Sequence, residues 1–443
     1  MTNRYDELLD LGRNDPLDLT DRIIRYEDTV VYQNAALTAD SSEIQMETRS
    51  SSSDNFQAFC DSYLIVKHQI VKAIDATAYA DAIKVTIPNV WGCFGNGTFH
   101  LNGAEASTCT NPFEVSTLMT SWVRSDSSIM AHADAIGFFP AAKAPADPFD
   151  DARNAASRLV YNASTVVYTK LYLRDIFPFL NVRKALRFAQ ASLRLTFNNS
   201  KYSHFILNGT TGPAVPSRVL INDVRWVVPQ IRPSMPEFAA LSRAAASGEP
   251  IPFNFQDIYV KQKLSLTDGL INDNVLSNAK RPRAIIARAT LATQRTDPKI
   301  DPMLSHPRGL IGPHFVTINE RQYPSLAYNW SEGGGHREYE TICRAFGKDP
   351  LNPNADPFIN FKMFTTTHTY LYYDCSMMDD SALLSSGQSG SLVNHQAKYA
   401  SIAGGDTDMT YFIIYDKQMI CREVEGKLLL TIPAAKVETM ASL

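Results

Sequence analysis

The sequence has no long hydrophobic run and no strong excess of one charge. No apolar stretch approaches the roughly 20 residues that a helix needs to cross a bilayer, so we predict no transmembrane helix. The 443 residues include 42 Lys and Arg against 46 Asp and Glu, a formal net charge of −4. A protein that binds along a phosphate backbone usually carries a basic arm or stripe, and none is visible. We therefore expect no direct, sequence-specific binding to nucleic acid.

Cysteine is scarce and scattered along the chain. The six cysteines form no CxxC pair, the spacing that is typical of zinc sites and redox-active disulfides. They are Cys60, Cys93, Cys109, Cys343, Cys375 and Cys421. We predict that all of them are free thiols.

Motifs for catalysis and cofactor binding are also missing. The sequence contains no HExxH, no GxxxxGK[ST] loop, no GxSxG elbow and no GxGxxG after a strand. Gly92-Cys-Phe-Gly-Asn-Gly lacks the lysine of a phosphate-binding loop, so we interpret it as a tight turn around Gly95-Asn-Gly. No two of the nine histidines have the HxH or HxxxH spacing that favours a shared metal ion. We expect no catalytic residue, no cofactor, no metal site and no enzymatic activity.

Two acidic clusters and one basic run leave alternatives open. The clusters are Asp374, Asp379 and Asp380, and further along Asp406 and Asp408. Either cluster could bind Ca²⁺, but neither matches an EF-hand loop, which favours solvated loop carboxylates. The run Lys280-Arg-Pro-Arg indicates a solvated surface turn, with a nuclear import signal or a phosphate contact as the alternative.

Residues that favour strands are concentrated in short segments. Several segments alternate apolar and polar residues, the pattern of an antiparallel strand with one buried face. The segments are 63–71, 83–87, 192–197, 219–228, 284–291, 369–373, 409–415 and 427–432. Apolar residues make up 44% of the chain, enough for two cores at this length. Many short strands with few helices predict an all-β fold of sandwiches or barrels.

Two segments predict helices. Asn111 can cap the first, Pro112 suits its first turn, and Glu114 can complete a capping box. The second runs from Ser234 to Ser247, with Gly248 as its C-cap, between a strand and a proline-rich segment. We place the junction between two domains at this second helix.

The segment Leu173-Arg-Asp-Ile-Phe-Pro-Phe-Leu gathers large apolar residues around a proline. Pro178 fixes a turn, and Phe177 and Phe179 are expected to fill the core. We interpret it as a structural motif of a large sandwich, formed by Asp175, Ile176, Phe177, Pro178 and Phe179.

This motif also carries a family resemblance. Leu171-Tyr-Leu-Arg-Asp-Ile-Phe-Pro-Phe-Leu, followed by Leu186-Arg-Phe and Ala191-Ser-Leu-Arg-Leu-Thr-Phe, is similar to a segment in the major capsid proteins of polintons, adintoviruses and virophage-like DNA viruses. In that family the segment leads into the closing strands of the first of two jelly rolls. Further stretches resemble the family in the same order: 83–102 with the helix at Asn111, 219–236, and 372–380 with 390–393 and 411–415.

The resemblance implies two tandem eight-stranded jelly rolls with a few short helices in loops. Its expected boundaries are an N-terminal arm at 1–25, a first jelly roll at 26–233, a helical linker at 234–250 and a second jelly roll at 251–443. Residues 125–160 and 295–360 are expected to be long loops that form an outer crown or intersubunit contacts.

The resemblance also implies a role as a major capsid protein. Such a protein would form a pseudo-hexameric homotrimer, and neighbouring trimers would tile an icosahedral shell. Penton and minor capsid proteins would be further partners, and the N-terminal arm would face minor proteins or an internal membrane. The implied location is the virion, with synthesis in the host cytoplasm and assembly in the nucleus or cytoplasm.

Two alternatives remain at this point. A minor capsid or penton protein usually needs one jelly roll, so a single roll would favour that role. A carbohydrate-binding or cupin-like protein built on the same sandwich predicts an aromatic-lined sugar groove or a buried metal.

Overall fold

The computed structural model consists mainly of antiparallel strands. It describes residues 23–32, 37, 42–48, 55–72, 77, 84–138, 161–162, 166–198, 206–208, 217–235, 238–239, 242–243, 248, 250–266, 270–277, 282–292, 302–305, 310, 312–318, 321–352, 354–376, 391–398, 407–424 and 427–431. The eight predicted strand segments all contain strands in this structure.

The first half of the chain forms two main β-sheets, each with four strands in a continuous order. Its strands are β1 (Ile23–Tyr32), β2 (Glu43–Glu47), β3 (Phe56–Gln57), β4 (Tyr63–Lys72), β5 (Lys84–Thr86), β6 (Phe94–Leu101), β7 (Ala104–Cys109), β8 (Tyr161–Asn162), β9 (Val167–Tyr172), β10 (Ala191–Phe197), β11 (Ile206–Asn208) and β12 (Ser217–Pro233). One sheet has the order β1-β12-β4-β9, with β3 also paired to β12, and the other has the order β2-β10-β6-β7. The short strands β5, β8 and β11 form a small separate sheet.

The second half repeats this arrangement. Its strands are β13 (Pro250–Leu266), β14 (Leu270–Ser277), β15 (Pro282–Leu291), β16 (Pro313–Ile318), β17 (Arg321–Asn329), β18 (Leu371–Asp374), β19 (Ser391–Lys398), β20 (Thr407–Val424) and β21 (Lys427–Thr431). One sheet has the order β13-β20-β15-β18, with β21 added beside β20, and the other has the order β14-β19-β16-β17.

The two halves share one topology. If the eight principal strands of each half are counted along the chain, both halves give the orders 1-8-3-6 and 2-7-4-5. Two four-stranded antiparallel sheets in this order form a jelly roll. The prediction of an all-β fold with two tandem eight-stranded jelly rolls is therefore confirmed, although the exact domain boundaries stay predictions.

Strand alternation explains how each roll buries its core. In β4, Leu64 and Val66 are buried, whereas Tyr63, Ile65 and Lys67 on the opposite face are half-buried. This alternation is what a strand with one core-facing side requires. One hydrophobic cluster fills the first roll and continues onto the outer face of the β13-β20-β15-β18 sheet, and a second cluster fills the interior of the second roll.

Five helices of the described chain lie at the same place in both rolls, between the fifth and sixth principal strands. They are α1 (Pro112–Val123), α2 (Asp126–Ile136), α3 (Trp330–Gly333), α4 (His336–Ala345) and α5 (Phe361–Thr366). None of these described helices is both long enough and apolar enough to cross a membrane. Helical residues after Ser234 begin with a bond from the Phe238 N–H to the Ser234 carbonyl (2.8 Å), and much of that segment lies outside the described residues.

Two predictions about irregular structure were wrong. The segments 125–160 and 295–360 were expected to be loops, but they contain α2 in the first case and β16, β17, α3 and α4 in the second. Pro324 lies in β17, an edge strand, where a missing N–H is tolerated. The predicted turn Gly95-Asn-Gly instead lies within β6, while the turn itself comes earlier, at Val90–Cys93.

The prediction of free thiols is confirmed. All six cysteines are unpaired and buried. Burial raises the pKa of the Cys93 and Cys109 thiols to about 12, so they stay protonated and unreactive at neutral pH.

Candidate functional site: the interface between the two rolls

The predicted motif follows β9 as two short 3-10 turns, Leu173–Asp175 and Pro178–Asn181. Ile176, Phe177, Pro178 and Phe179 are buried. Their position beneath β6 is shown by Phe99, whose ring centroid lies 5.8 Å from that of Phe177 and 5.1 Å from that of Phe179. The motif thus closes one end of the first roll's core.

Close contact with the motif explains the glycine inside β6. A Cβ atom at Gly97 would lie 3.1 Å from Cζ of Phe177 and 3.0 Å from Cδ2 of Leu195. These separations are tighter than most carbon contacts, so a side chain here would push Phe177 or Leu195 aside by a few tenths of an ångström.

We expect Gly97→Ala to destabilise the protein by about 1–3 kcal/mol because the extra carbon forces Phe177 or Leu195 out of place. Urea unfolding followed by tryptophan fluorescence measures the change. Gly103→Ala is a comparison that tests backbone strain alone. A Cβ there meets no atom within 4 Å, but the φ of +80° is strained for alanine. An unchanged unfolding midpoint for Gly97→Ala would contradict the packing described for the motif.

The motif also contacts the second roll. The ring centroid of Phe179 lies 6.0 Å from that of Phe255 in β13. Beside it, the Lys184 ammonium donates to the Pro252 carbonyl (2.5 Å) and lies 5.3 Å from the centroid of the Phe253 ring. The motif is therefore both part of the first core and a contact surface for the second roll.

Asp175 connects the motif to the end of α1. Arg124, the C-cap residue of α1, donates to both carboxylate oxygens of Asp175 at 2.7 and 2.8 Å. Burial raises the pKa of the Asp175 carboxyl, and the guanidinium groups of Arg124 and Arg174 oppose that rise. The ion pair fixes α1 relative to the two turns of the motif.

A buried ion pair crosses the interface from α1. Asn111 caps the helix as predicted, accepting from the Glu114 N–H at 3.3 Å. The Glu114 carboxylate, however, pairs with Arg288 of β15 in the second roll, where the sequence predicted a capping box. Arg288 is fully buried and also donates to the Leu304 carbonyl (3.2 Å), so its charge depends on this pairing.

A second buried ion pair lies at the far end of β20. The Nε of Arg187 donates to Oε2 of Glu423 at 2.8 Å, and a terminal guanidinium nitrogen lies 2.5 Å from Oε1. The guanidinium carbon lies 5.6 Å from the Phe56 ring centroid and 5.1 Å from that of Phe188. This two-point pairing restricts how the rolls can rotate against each other.

A third polar contact joins β7 to the second roll. The Lys417 ammonium donates to the Ala106 carbonyl (3.1 Å) and to Oδ2 of Asp257 (3.2 Å). The other oxygen of Asp257 accepts from the Ser107 hydroxyl at 3.4 Å. The edge strand of the first roll is thereby bonded to β13 and β20.

These contacts hold two rolls in one fixed arrangement. Within the described residues, no group of three or more His, Cys, Asp or Glu side chains is placed to hold a metal ion. The sequence did not predict the ion pairs of Arg288, Arg187 and Lys417, because their partners are 174, 236 and 160 residues away and no local pattern marks them.

The acidic clusters and the basic run are only partly described. Asp374 ends β18 and is exposed, but Asp408 is buried within β20, so its assignment as a solvated loop carboxylate was wrong. Arg283 is exposed, 3.4 Å from Asp416. Asp379, Asp380, Asp406, Lys280 and Arg281 lie outside the described residues.

The fold matches known viral structures, whereas the sequence matches no family model and no curated protein. A chain from the cryo-EM structure of the Sputnik virophage has a TM-score of 0.60 at 9% identity, covering 95% of this chain and 91% of that chain. The Faustovirus major capsid protein has a TM-score of 0.52 at 11% identity, covering 89% and 90%. The mavirus major capsid protein has a TM-score of 0.51 at 12% identity, covering 91% and 90%.

These matches extend over nearly the whole of both chains in each pair. With so little shared sequence, what they establish is the fold. The strand orders, the interface and these matches agree: the chain has the double-jelly-roll fold of the major capsid proteins of virophages and large DNA viruses.

Proposed function

We propose that this chain is a major capsid protein that forms a pseudo-hexameric homotrimer, and that such trimers tile an icosahedral shell. The observation that carries the proposal is that the outer faces of two equivalent sheets, one in each roll, are covered to different extents. The outer face of the β13-β20-β15-β18 sheet is covered by the first roll, whereas the described side chains on the equivalent face of the β1-β12-β4-β9 sheet are mostly half-buried or exposed.

The covered face shows what an interface between rolls looks like in this protein. Ile286, Phe412 and Ile414 on that sheet belong to the hydrophobic cluster that continues from the first roll. The covering elements are β7 and α1, which are the fifth principal strand of the first roll and the interval that follows it, together with the motif after the sixth principal strand. Each roll therefore has one sheet face on which another roll can pack, and one edge that can itself pack on another roll.

This face of the first roll is rich in tyrosine. Tyr32 and Tyr168 are each 60% exposed, and Val30 is 42% exposed. The Lys170 ammonium lies 3.7 Å from the centroid of the Tyr63 ring, and the Lys67 ammonium lies 5.7 Å from that of Tyr168. We call this surface, formed by the side chains of Tyr32, Tyr63, Lys67, Tyr168, Lys170 and Tyr172, the tyrosine face. Tyrosine-rich surfaces of this kind are typical of protein interfaces.

The second roll carries the elements that would cover this face in another copy. The equivalents of β7 and α1 are β17 and the helices α3 to α5. Leu326 in β17 is 70% exposed, and Leu351 in the segment between α4 and α5 is 79% exposed. If β17 and these helices of one copy pack on the tyrosine face of the next, three such contacts alternate with three internal ones and can close a ring of six rolls. A head-to-tail contact of this kind forms a closed ring when its rotation permits.

Electron microscopy of the purified full chain tests the proposal. We expect particles with a hexagonal outline that contain three copies of the chain. Particles of two rolls only, at every concentration examined, would contradict it.

The remaining parts of the proposal rest on the family resemblance. We propose penton and minor capsid proteins as further partners, contact of the N-terminal arm with minor proteins or an internal membrane, no direct sequence-specific binding to nucleic acid and no enzymatic activity. The proposed location is the virion, after synthesis in the host cytoplasm and assembly there or in the nucleus. The presence of two rolls disfavours the single-roll minor capsid or penton role.

A further inference from the structure

The interior of the second roll contains a chain of polar side chains that passes back and forth between its two sheets. The chain consists of Tyr411 on β20, His395 on β19, Tyr373 on β18, His314 on β16 and Glu338 on α4, and all five are buried. We call it the histidine–tyrosine chain. Its two histidines belong to one sheet and its two tyrosines to the other, and Glu338 connects it to a helix outside the roll.

Each neighbouring pair in this chain is within hydrogen-bond distance. Oη of Tyr411 lies 3.1 Å from Nδ1 of His395, and Nε2 of His395 lies 3.0 Å from Oη of Tyr373. That same oxygen lies 2.9 Å from Nδ1 of His314, whose Nε2 lies 3.1 Å from Oε1 of Glu338.

One distribution of protons satisfies all four bonds. With an ionised Glu338 and two neutral imidazoles, each Nε2 carries a hydrogen and donates, and each Nδ1 accepts from a tyrosine hydroxyl. Donors and acceptors then match one to one from Tyr411 to Glu338. An added proton on Nδ1 of His395 faces the Tyr411 hydroxyl that was donating to it, so that bond must reverse or break.

We propose that the histidine–tyrosine chain is an acid-sensitive attachment of α4: the chain holds the helix against the second roll while His395 is neutral, and protonation of His395 loosens it. A buried network of this kind stabilises only while every member is satisfied. Its terminal member, Glu338, bonds the roll interior to α4, beside a second bond from the Tyr328 hydroxyl to Oγ1 of Thr341 at 3.3 Å.

The direction of the pH effect follows from His395. Burial, aided by nearby His314, lowers the pKa of His395 from 6.5 to about 3. The folded protein therefore binds fewer protons at this site than the unfolded chain, and stability falls as the pH drops below about 6.5. At about pH 5 this site alone disfavours the folded state by about thirtyfold, and the loss continues to about pH 3.

Other charged groups surround the chain. The ring centroid of Tyr328 on β17 lies 5.5 Å from that of His314, with the Arg337 guanidinium carbon of α4 4.7 Å from the Tyr328 centroid. Asp273 lies opposite His395 in the β14–β19 register and is paired with Lys263.

Two further titratable groups lie near α4. Asp374 follows Tyr373 on β18 and is exposed. His336 is exposed in the first turn of α4, with its ring 4.0 Å from that of Phe361. Because His336 is an imidazole on α4 itself, it needs its own control.

This inference also rests on the proposed function where it concerns assembly. In the proposed trimer, α4 belongs to the elements that cover the tyrosine face of the next copy. Acid would then weaken contacts between copies by loosening α4 within one copy.

Hydrogen–deuterium exchange of the full chain tests the attachment. Corrected for intrinsic rates, exchange of residues 336–345 should be at least about tenfold faster at about pH 5 than at about pH 7.5. His314→Gln with His395→Gln should remove most of this difference, whereas His68→Gln in the first roll and His336→Gln should retain it. Equal acceleration in the double variant, or none in the unaltered chain, would overturn the proposal.

Two further measurements apply if the double variant does not fold. Tyr411→Phe removes the donor to His395, so the acid response should shift to higher pH. In the unaltered chain at about pH 7.5, ¹⁵N shifts should show two buried imidazoles in the Nε2–H form, and an Nδ1–H form or an imidazolium would contradict the proposal. Light scattering on the same samples separates the outcomes: a monomer whose α4 responds to acid contradicts only the trimer.

Discussion

Replacing Glu114 by leucine should lower the free energy of unfolding by about 3–5 kcal/mol. The substitution leaves the Arg288 guanidinium fully buried with two carbonyls as partners and no opposite charge. Because the pair joins α1 of the first roll to β15 of the second, the loss should affect the contact between rolls. Urea unfolding with tryptophan fluorescence measures it, and Trp122 in α1 reports on this region.

The double variant Glu114→Leu with Arg288→Met supplies the critical comparison. It removes both charges, so it should be more stable than Glu114→Leu alone. The exposed pair of Glu340 and Arg344 on α4 is the matched control, and Glu340→Leu should change stability by less than about 1 kcal/mol. A loss of that small size for Glu114→Leu would contradict the role assigned to the buried pair.

Aspartates on the tyrosine face should prevent trimer formation while leaving the subunit folded. Tyr32→Asp with Tyr168→Asp alters two side chains that are each 60% exposed in the single chain, so the roll itself should tolerate them. In the proposed trimer both positions become buried, and unpaired charges there would cost several kcal/mol at each of three contacts. Light scattering should therefore show a monomer with an unfolding midpoint close to that of the unaltered subunit.

Met235 offers a matched control for this double variant. It is 73% exposed and apolar, but it lies beyond the end of β12 and outside the tyrosine face. Met235→Asp should remain trimeric. A trimer that survives both tyrosine substitutions would exclude the tyrosine face as the contact between copies.

Much of the fold could be predicted because the strands carry their own pattern. The alternation in β4 and the β-branched residues of β12 and β20 indicate strands without any tertiary information. The pair Gly95 and Gly97 gave the wrong indication of a turn. The reason for a glycine at position 97 is the nearby Phe177 ring, which the local sequence does not reveal.

The candidate site could be predicted only in part. The segment from Asp175 to Phe179 draws attention because large apolar residues surround a proline, and the structure places it at the interface. Its partners could not be predicted, since Glu114 and Arg288 are 174 residues apart. Likewise, His314 and His395 have no metal-site spacing, and only strand register brings them to the same tyrosine.

The mass of the purified chain in solution is the most direct test of the central claim. One chain has a mass of 49.3 kDa, and light scattering should give three times that value at neutral pH. The mass should fall to that of one chain for Tyr32→Asp with Tyr168→Asp. A mass of 49.3 kDa for the unaltered protein, unchanged as its concentration is raised, would contradict the account of this chain as a trimeric capsid subunit.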